Sequence, residues 1–97
     1  FSFLGYLPQD QKQRIQKLRE IERTARKNKQ SQFFIETPYR NRQMIESLLQ
    51  VLQPDTKVFI GSDILGENPY IRSLTVKEWK KINIPDLHKI PAVFGIY

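Results

Sequence analysis

The sequence predicts one α/β domain, a five-stranded mixed sheet with helices packed on it. Three observations predict it. Apolar, strand-forming runs alternate with segments of helical periodicity, the pattern of parallel strands joined by right-handed crossovers. The link between the third and fourth strand-like runs is too short for a crossover helix, so at least one pair is antiparallel. A chain of 97 residues suffices for one core, and no repeat, low-complexity tract or linker divides it.

Phe1 to Tyr6 reads as the first strand, with Gly5 near its end allowing a bend or a close approach of backbone to a ligand. Leu7-Pro8 leads into a long helix, Gln9 to about Lys27, because proline suits the first turn. On it Gln11, Ile15, Leu18, Ile21, Glu22 and Ala25 fall on one side. The stripe of large apolar residues is narrow, so much of the helix faces water. Phe33-Phe34-Ile35 is a continuous apolar run, the pattern of a strand buried on both faces. Pro38 drives Thr37 out of the α region, so this strand ends in the turn Glu36 to Arg40. Met44, Ile45, Leu48, Leu49 and Leu52 then recur at helical spacing, giving a second helix from about Asn41 to Leu52. Lys57 to Ser62 is a third strand, and Tyr70 to Leu74 alternates weakly as an edge strand. Thr75 with Glu78 has the spacing of a capping box and opens a short helix containing Trp79. Ile90 to Tyr97 is a last, largely apolar strand.

Composition narrows the chemistry. There is no cysteine and one histidine, so neither a thiolate nor a multi-histidine metal site is available. No apolar run is long enough to cross a membrane. No secretory signal pattern is present, and a cytoplasmic protein is expected. The chain begins at Phe1 inside an apolar run, as a piece of a longer protein would. Net charge is +6, and half of the 16 Lys and Arg lie between Lys12 and Lys29. Such a concentration attracts polyanions through phosphate neutralisation, although a solvated helix face has the same composition.

No glycine-rich phosphate loop and no nucleophile–histidine spacing occurs. His88 has no identifiable acidic partner and reads as a packed or solvent-facing side chain. Trp79 reads as core cover rather than as a stacking platform. What remains is a layout: Gly5-Tyr6-Leu7-Pro8, Glu36-Thr37-Pro38-Tyr39-Arg40 and Gly61-Ser62-Asp63 each follow an apolar strand. If the first three strands are parallel, these turns meet along one edge of the sheet, where open α/β sheets place ligands. Glu36 could meet Asp63 there, though the spacing does not require it.

Two phrases in that layout carry a resemblance. Phe3-Leu4-Gly5-Tyr6-Leu7-Pro8 before a basic helix resembles the F-x-G-F/Y-L-P opening of the carboxyl-terminal half of ribosomal RNA small-subunit methyltransferase I. Phe34-Ile35-Glu36-Thr37-Pro38-Tyr39-Arg40 resembles that group's F-Y-E-S/T-P-H/Y-R. The group belongs to the tetrapyrrole methylase superfamily of S-adenosylmethionine-dependent methyltransferases. Gly61 to Ser73 departs from the ribosomal pattern.

The resemblance implies a carboxyl-terminal domain over residues 1–97, inactive without an amino-terminal domain that supplies the cofactor's glycine-rich loops. It implies S-adenosyl-L-methionine as methyl donor, RNA as substrate with 2'-O-ribose methylation in ribosomal RNA processing, and a homodimer. By position, Leu4, Gly5, Glu36 and Thr37 would bind the cofactor. Pro38 and Arg40, with Arg19, Arg23 and Arg26 of the basic helix, would bind the substrate. No catalytic base is assigned. The alternatives are a basic RNA-binding module without catalysis and a methyltransferase acting on a tetrapyrrole-like small molecule.

Overall fold

The computed structural model describes residues 1–97. Its elements, in order, are β1 (Ser2–Tyr6), α1 (Gln11–Asn28), β2 (Gln32–Ile35), a 3-10 turn (Pro38–Arg40), α2 (Asn41–Val51), β3 (Lys57–Ser62), β4 (Tyr70–Thr75), α3 (Val76–Trp79) and β5 (Ala92–Ile96). Every expected element is present, with ends shifted by a residue or two.

The five strands form one sheet in the order β1-β2-β5-β3-β4. β1 and β2 are parallel, while β5 runs antiparallel to both of its neighbours, β2 and β3. β1, β2 and β3 therefore all point the same way. The short link after β3 makes the expected antiparallel pair with β4.

Connectivity also decides where the helices lie. The two crossovers, β1-α1-β2 and β2-α2-β3, advance across the sheet in the same direction. With the same right hand, both helices must land on the same face. Leu18, Ile21 and Ala25 of α1, Met44, Ile45 and Leu48 of α2, and Val76 and Trp79 of α3 accordingly share one core with Phe34, Val58, Ile60, Phe94 and Ile96 of the strands. Trp79 is fully buried and donates its indole N–H to the Val58 carbonyl (2.8 Å), as core cover should.

The other face carries no helix, which corrects the expectation for β2. Phe34 is buried, but Phe33 and Ile35 are only half-buried. A continuous apolar run reads as two-sided burial, yet here one side is covered by aromatic rings alone. The Phe33 ring sits edge-on to Phe1 (5.6 Å) and to Phe59 (5.9 Å). Gly95 lies between Phe33 and Phe59 in the register, and a Cβ there would come within 2.7 Å of the Phe33 ring.

Helix ends have local causes. α1 starts at Asp10 rather than at Pro8, because the Asp10 carboxylate accepts from the Gln13 N–H (3.1 Å). It stops at Lys29, which turns left-handed (φ 51°) and returns its N–H to the Ala25 carbonyl. α3 opens on the expected capping box of Thr75 and Glu78. No helix is long and apolar enough to cross a membrane.

Candidate functional site

The three co-directional strands end at one edge, and the register shows how their ends line up. Tyr6 pairs with Ile35, Ile35 with Val93, and Val93 with Gly61. That row spans β1, β2, β5 and β3 and forms one side of a cavity of about 540 Å³. Around it stand Glu36 and Pro38 from the turn after β2, Pro91 and Ala92 at the start of β5, and Asp63 to Gly66 after β3. A volume of this size is in the range of small-ligand sites.

Each wall is held by a local device. β1 carries an irregularity between Phe3 and Tyr6, where Gly5 takes φ 71°. A side chain is disfavoured at that φ, and a Cβ there would meet nothing within 4 Å, so the Gly5 backbone borders open space. The loop after β3 is pinned at Asp63, a left-handed non-glycine (φ 48°) whose N–H donates to the Pro91 carbonyl (3.0 Å). The Asp63 carboxylate accepts from the Asn68 N–H (3.2 Å), so it is engaged in shaping the loop. Leu65 at the loop tip is fully exposed beside the cavity.

The turn after β2 is held from both sides. The Glu36 carboxylate is buried, with one oxygen accepting from the Thr37 N–H (2.7 Å). Arg40 folds back over it, its Nη1 4.0 Å from that oxygen and 3.4 Å from the Thr37 hydroxyl. The other oxygen, Oε2, is buried without a partner. A buried acceptor left unpaired costs about 1–3 kcal/mol, and Asn41 Oδ1 and the Tyr70 hydroxyl are left unpaired as well. Beyond the turn, the Asn41 amide donates to the carbonyls of Leu87 (3.0 Å) and Ile90 (2.6 Å), and the Lys89 N–H donates to Pro38 O (3.0 Å). These bonds fasten the segment before β5 to the start of α2. Arg42 forms two bonds to Asp86 in that segment and, chiefly through them, pulls its carboxyl down to about 2.

Of the residues expected to bind ligand, Glu36 and Pro38 line the cavity; Leu4, Gly5, Thr37 and Arg40 adjoin it in sequence. Arg19, Arg23 and Arg26 do not join it. α1 starts beside this edge and runs away from it, so at 1.5 Å per residue Arg19 lies about 13 Å and Arg26 about 24 Å from the helix start. Arg26 is also engaged, with Asp55 (2.6 Å) and the Thr56 hydroxyl (2.7 Å). Arg19 and Arg23 are exposed and unpaired, forming with Lys12 a basic stripe on the outer side of the helix layer. Sequence reasoning placed Gly61 and Asp63 at this edge without assigning them to the site, and it missed Pro91 to Val93. β5 enters the sheet backwards between β2 and β3, so its first residues, not its last, reach the shared edge.

The arrangement supplies main-chain groups, a buried carboxylate with one unpaired oxygen, and apolar walls. That set fits a small ligand with a flat face and a few N–H or O–H groups. Three or more potential metal-ligand side chains are nowhere grouped.

No family model matches the chain, and no curated protein matches it. Sixteen chains of solved structures do. One is the crystal structure of the methyltransferase CobJ, superposing with a TM-score of 0.52 over 99% of this chain at 14% identity. The chain spans 41% of the CobJ chain. The likeness is one of fold: this five-stranded α/β domain has the architecture of a part of that methyltransferase.

Proposed function

We propose that the chain is one domain of an S-adenosylmethionine-dependent methyltransferase, that it closes over the nucleoside end of the cofactor, and that the enzyme methylates RNA in the cytoplasm. The observation that carries this reading is convergence. The two phrases that resemble the methyltransferase group, separated by a whole helix in sequence, meet at one cavity whose walls suit a nucleoside. The fold likeness to CobJ supports the same class.

When bound, the cofactor supplies an activated methyl group for in-line displacement, which depends mainly on positioning. In this chain the exposed backbone at Gly5 and the Glu36–Thr37 turn bind and orient the nucleoside. Glu36 holds that turn in place through the Thr37 N–H. Pro38, Ile35 and Val93 exclude water. Glu36 and Asp63 are engaged in holding the turn and the loop, and no residue of this chain is assigned as the acceptor's base.

The charge distribution favours RNA over a polycarboxylate acceptor. Excess positive charge lies along α1, whereas the charged wall residues of the cavity are Glu36 and Asp63. Since the chain spans under half of CobJ, a second domain facing the cavity is part of the proposal. Calorimetric titration with S-adenosylhomocysteine tests it. The 97-residue chain alone should bind weakly, and a chain extended upstream of Phe1 should bind with clear heat and a raised melting temperature. No heat and no thermal shift in the extended protein would overturn the reading.

A further inference from the structure

Just outside the cavity, one residue past Pro38, an aromatic ring stands in the open. Tyr39 is 67% exposed on the 3-10 turn, although the turn's other residues are at least partly covered. Two side chains from the segment before β5 flank it. The Lys89 ammonium lies 5.9 Å from the ring centroid, and the His88 ring lies 6.1 Å away at 70°. Arg40 follows on the same turn, and the neighbouring carboxylate of Asp86 is matched by Arg42.

The cluster is built rather than incidental. Lys89 holds a left-handed backbone (φ 64°), which a side chain adopts at a cost and keeps only where the surroundings enforce it. The enforcing contacts are its N–H bond to Pro38 O and the Asn41 clamp on Leu87 and Ile90. The result is a ring open to solvent, carried on an anchored turn, with the Lys89 ammonium beside it at the lip of the candidate site.

An exposed aromatic beside a cation is what unpaired bases use: the ring stacks on the base, and the cation meets an adjoining phosphate. We propose that Tyr39, with Lys89 and His88, is a stacking platform for an unpaired base of a single-stranded RNA segment presented to the cavity. The inference rests on the RNA reading above and assigns it a second contact, distinct from the basic stripe on α1. The stripe attracts the strand, and the platform selects an unstacked base near the site.

Fluorescence anisotropy of the 97-residue chain tests this, with a short unstructured RNA, an abasic strand of equal length and a duplex as probes. The single strand should bind more tightly than the other two. Tyr39→Ala should weaken it about tenfold, the scale of one lost base–aromatic stack, leaving the abasic affinity and the salt slope unchanged. Tyr39→Phe should retain the affinity. Lys89→Gly suits the left-handed backbone, so its melting temperature should not fall, while its log–log salt slope should drop by about 0.7 for one lost phosphate contact. Single-strand binding undiminished in Tyr39→Ala, or an equal loss with the abasic strand, would overturn the platform alone. No binding to any RNA at low salt would remove the RNA reading together with the platform. Neither result bears on the S-adenosylhomocysteine titration, which decides the methyltransferase class separately.

Discussion

Two buried glutamates separate structure from function at the scale of single residues. Glu22 on α1 and Glu36 after β2 are 7% and 5% exposed. Glu22 is satisfied: its Oε2 accepts from the Gln53 N–H (2.7 Å) and from the Thr56 hydroxyl (2.6 Å), and Thr56 in turn accepts from Arg26. It thereby ties α1 to the loop between α2 and β3. Glu36 makes one backbone bond and leaves Oε2 unpaired. Replacing each by methionine, which has a similar length, should give unequal results. Glu22→Met strands two donors and should cost about 3 kcal/mol. Glu36→Met loses one backbone bond and the long, partly exposed approach of Arg40, but also removes an unpaired buried oxygen, and should cost about 1 kcal/mol. Urea unfolding of the 97-residue chain compares the two. Equal losses would show that Glu36 is as structural as Glu22 and not a group held ready for a ligand.

At the scale of elements, the uncovered face of the sheet depends on a close approach that only glycine permits. A Cβ at Gly95 would lie 2.7 and 2.8 Å from ring atoms of Phe33 and 3.2 Å from Phe59. The Phe33 ring packs edge-on against Phe59 and against Phe1, so admitting a Cβ shifts it out of those contacts. Gly95→Ala should therefore destabilise by about 1–3 kcal/mol through overpacking. That outweighs the gain of about 0.4–1 kcal/mol that alanine brings by restricting the unfolded chain. A lowered urea midpoint at unchanged slope is the expected result, and a raised midpoint would contradict the packing described. The same elements show what the sequence could reveal. Glu36, Pro38 and Gly5 were readable because proline, glycine and a charge interrupting an apolar run act on their own backbone. The open face behind Phe33 was not, since an apolar run looks the same whether a helix or a layer of rings covers its second side. Pro91 to Val93 also escaped, because their place at the cavity follows from where β5 inserts, a long-range choice with no local signal. Arg26 looked like a free cation, and its partners Asp55 and Thr56 lie about 30 residues away, as their separations of 29 and 30 show.

At the scale of the whole molecule, the last strand joins everything else. In the order β1-β2-β5-β3-β4, the pair β1-β2 and the pair β3-β4 share no edge, and β5 connects them. It also brings Phe94 and Ile96, both fully buried, to the centre of the core. Without it the chain would hold two separate two-stranded pieces, each marginal in water. The termini should therefore respond unequally to truncation. Removing residues 1–6 takes away an edge strand with much of its side-chain surface already exposed, and a four-stranded sheet with cooperative melting should remain. Removing residues 92–97 should abolish the fold altogether, with collapsed amide dispersion in NMR spectra and no melting transition. In the intact chain, β5 amides should be among the slowest to exchange, because their strand is the central one of the sheet and sits over the core. A folded chain lacking β5 would contradict this account. It would also separate the cavity from the fold, since Pro91 to Val93 line the former and the rest of β5 completes the latter. If one strand serves both, the candidate site can form only once the final residues of the chain are in place.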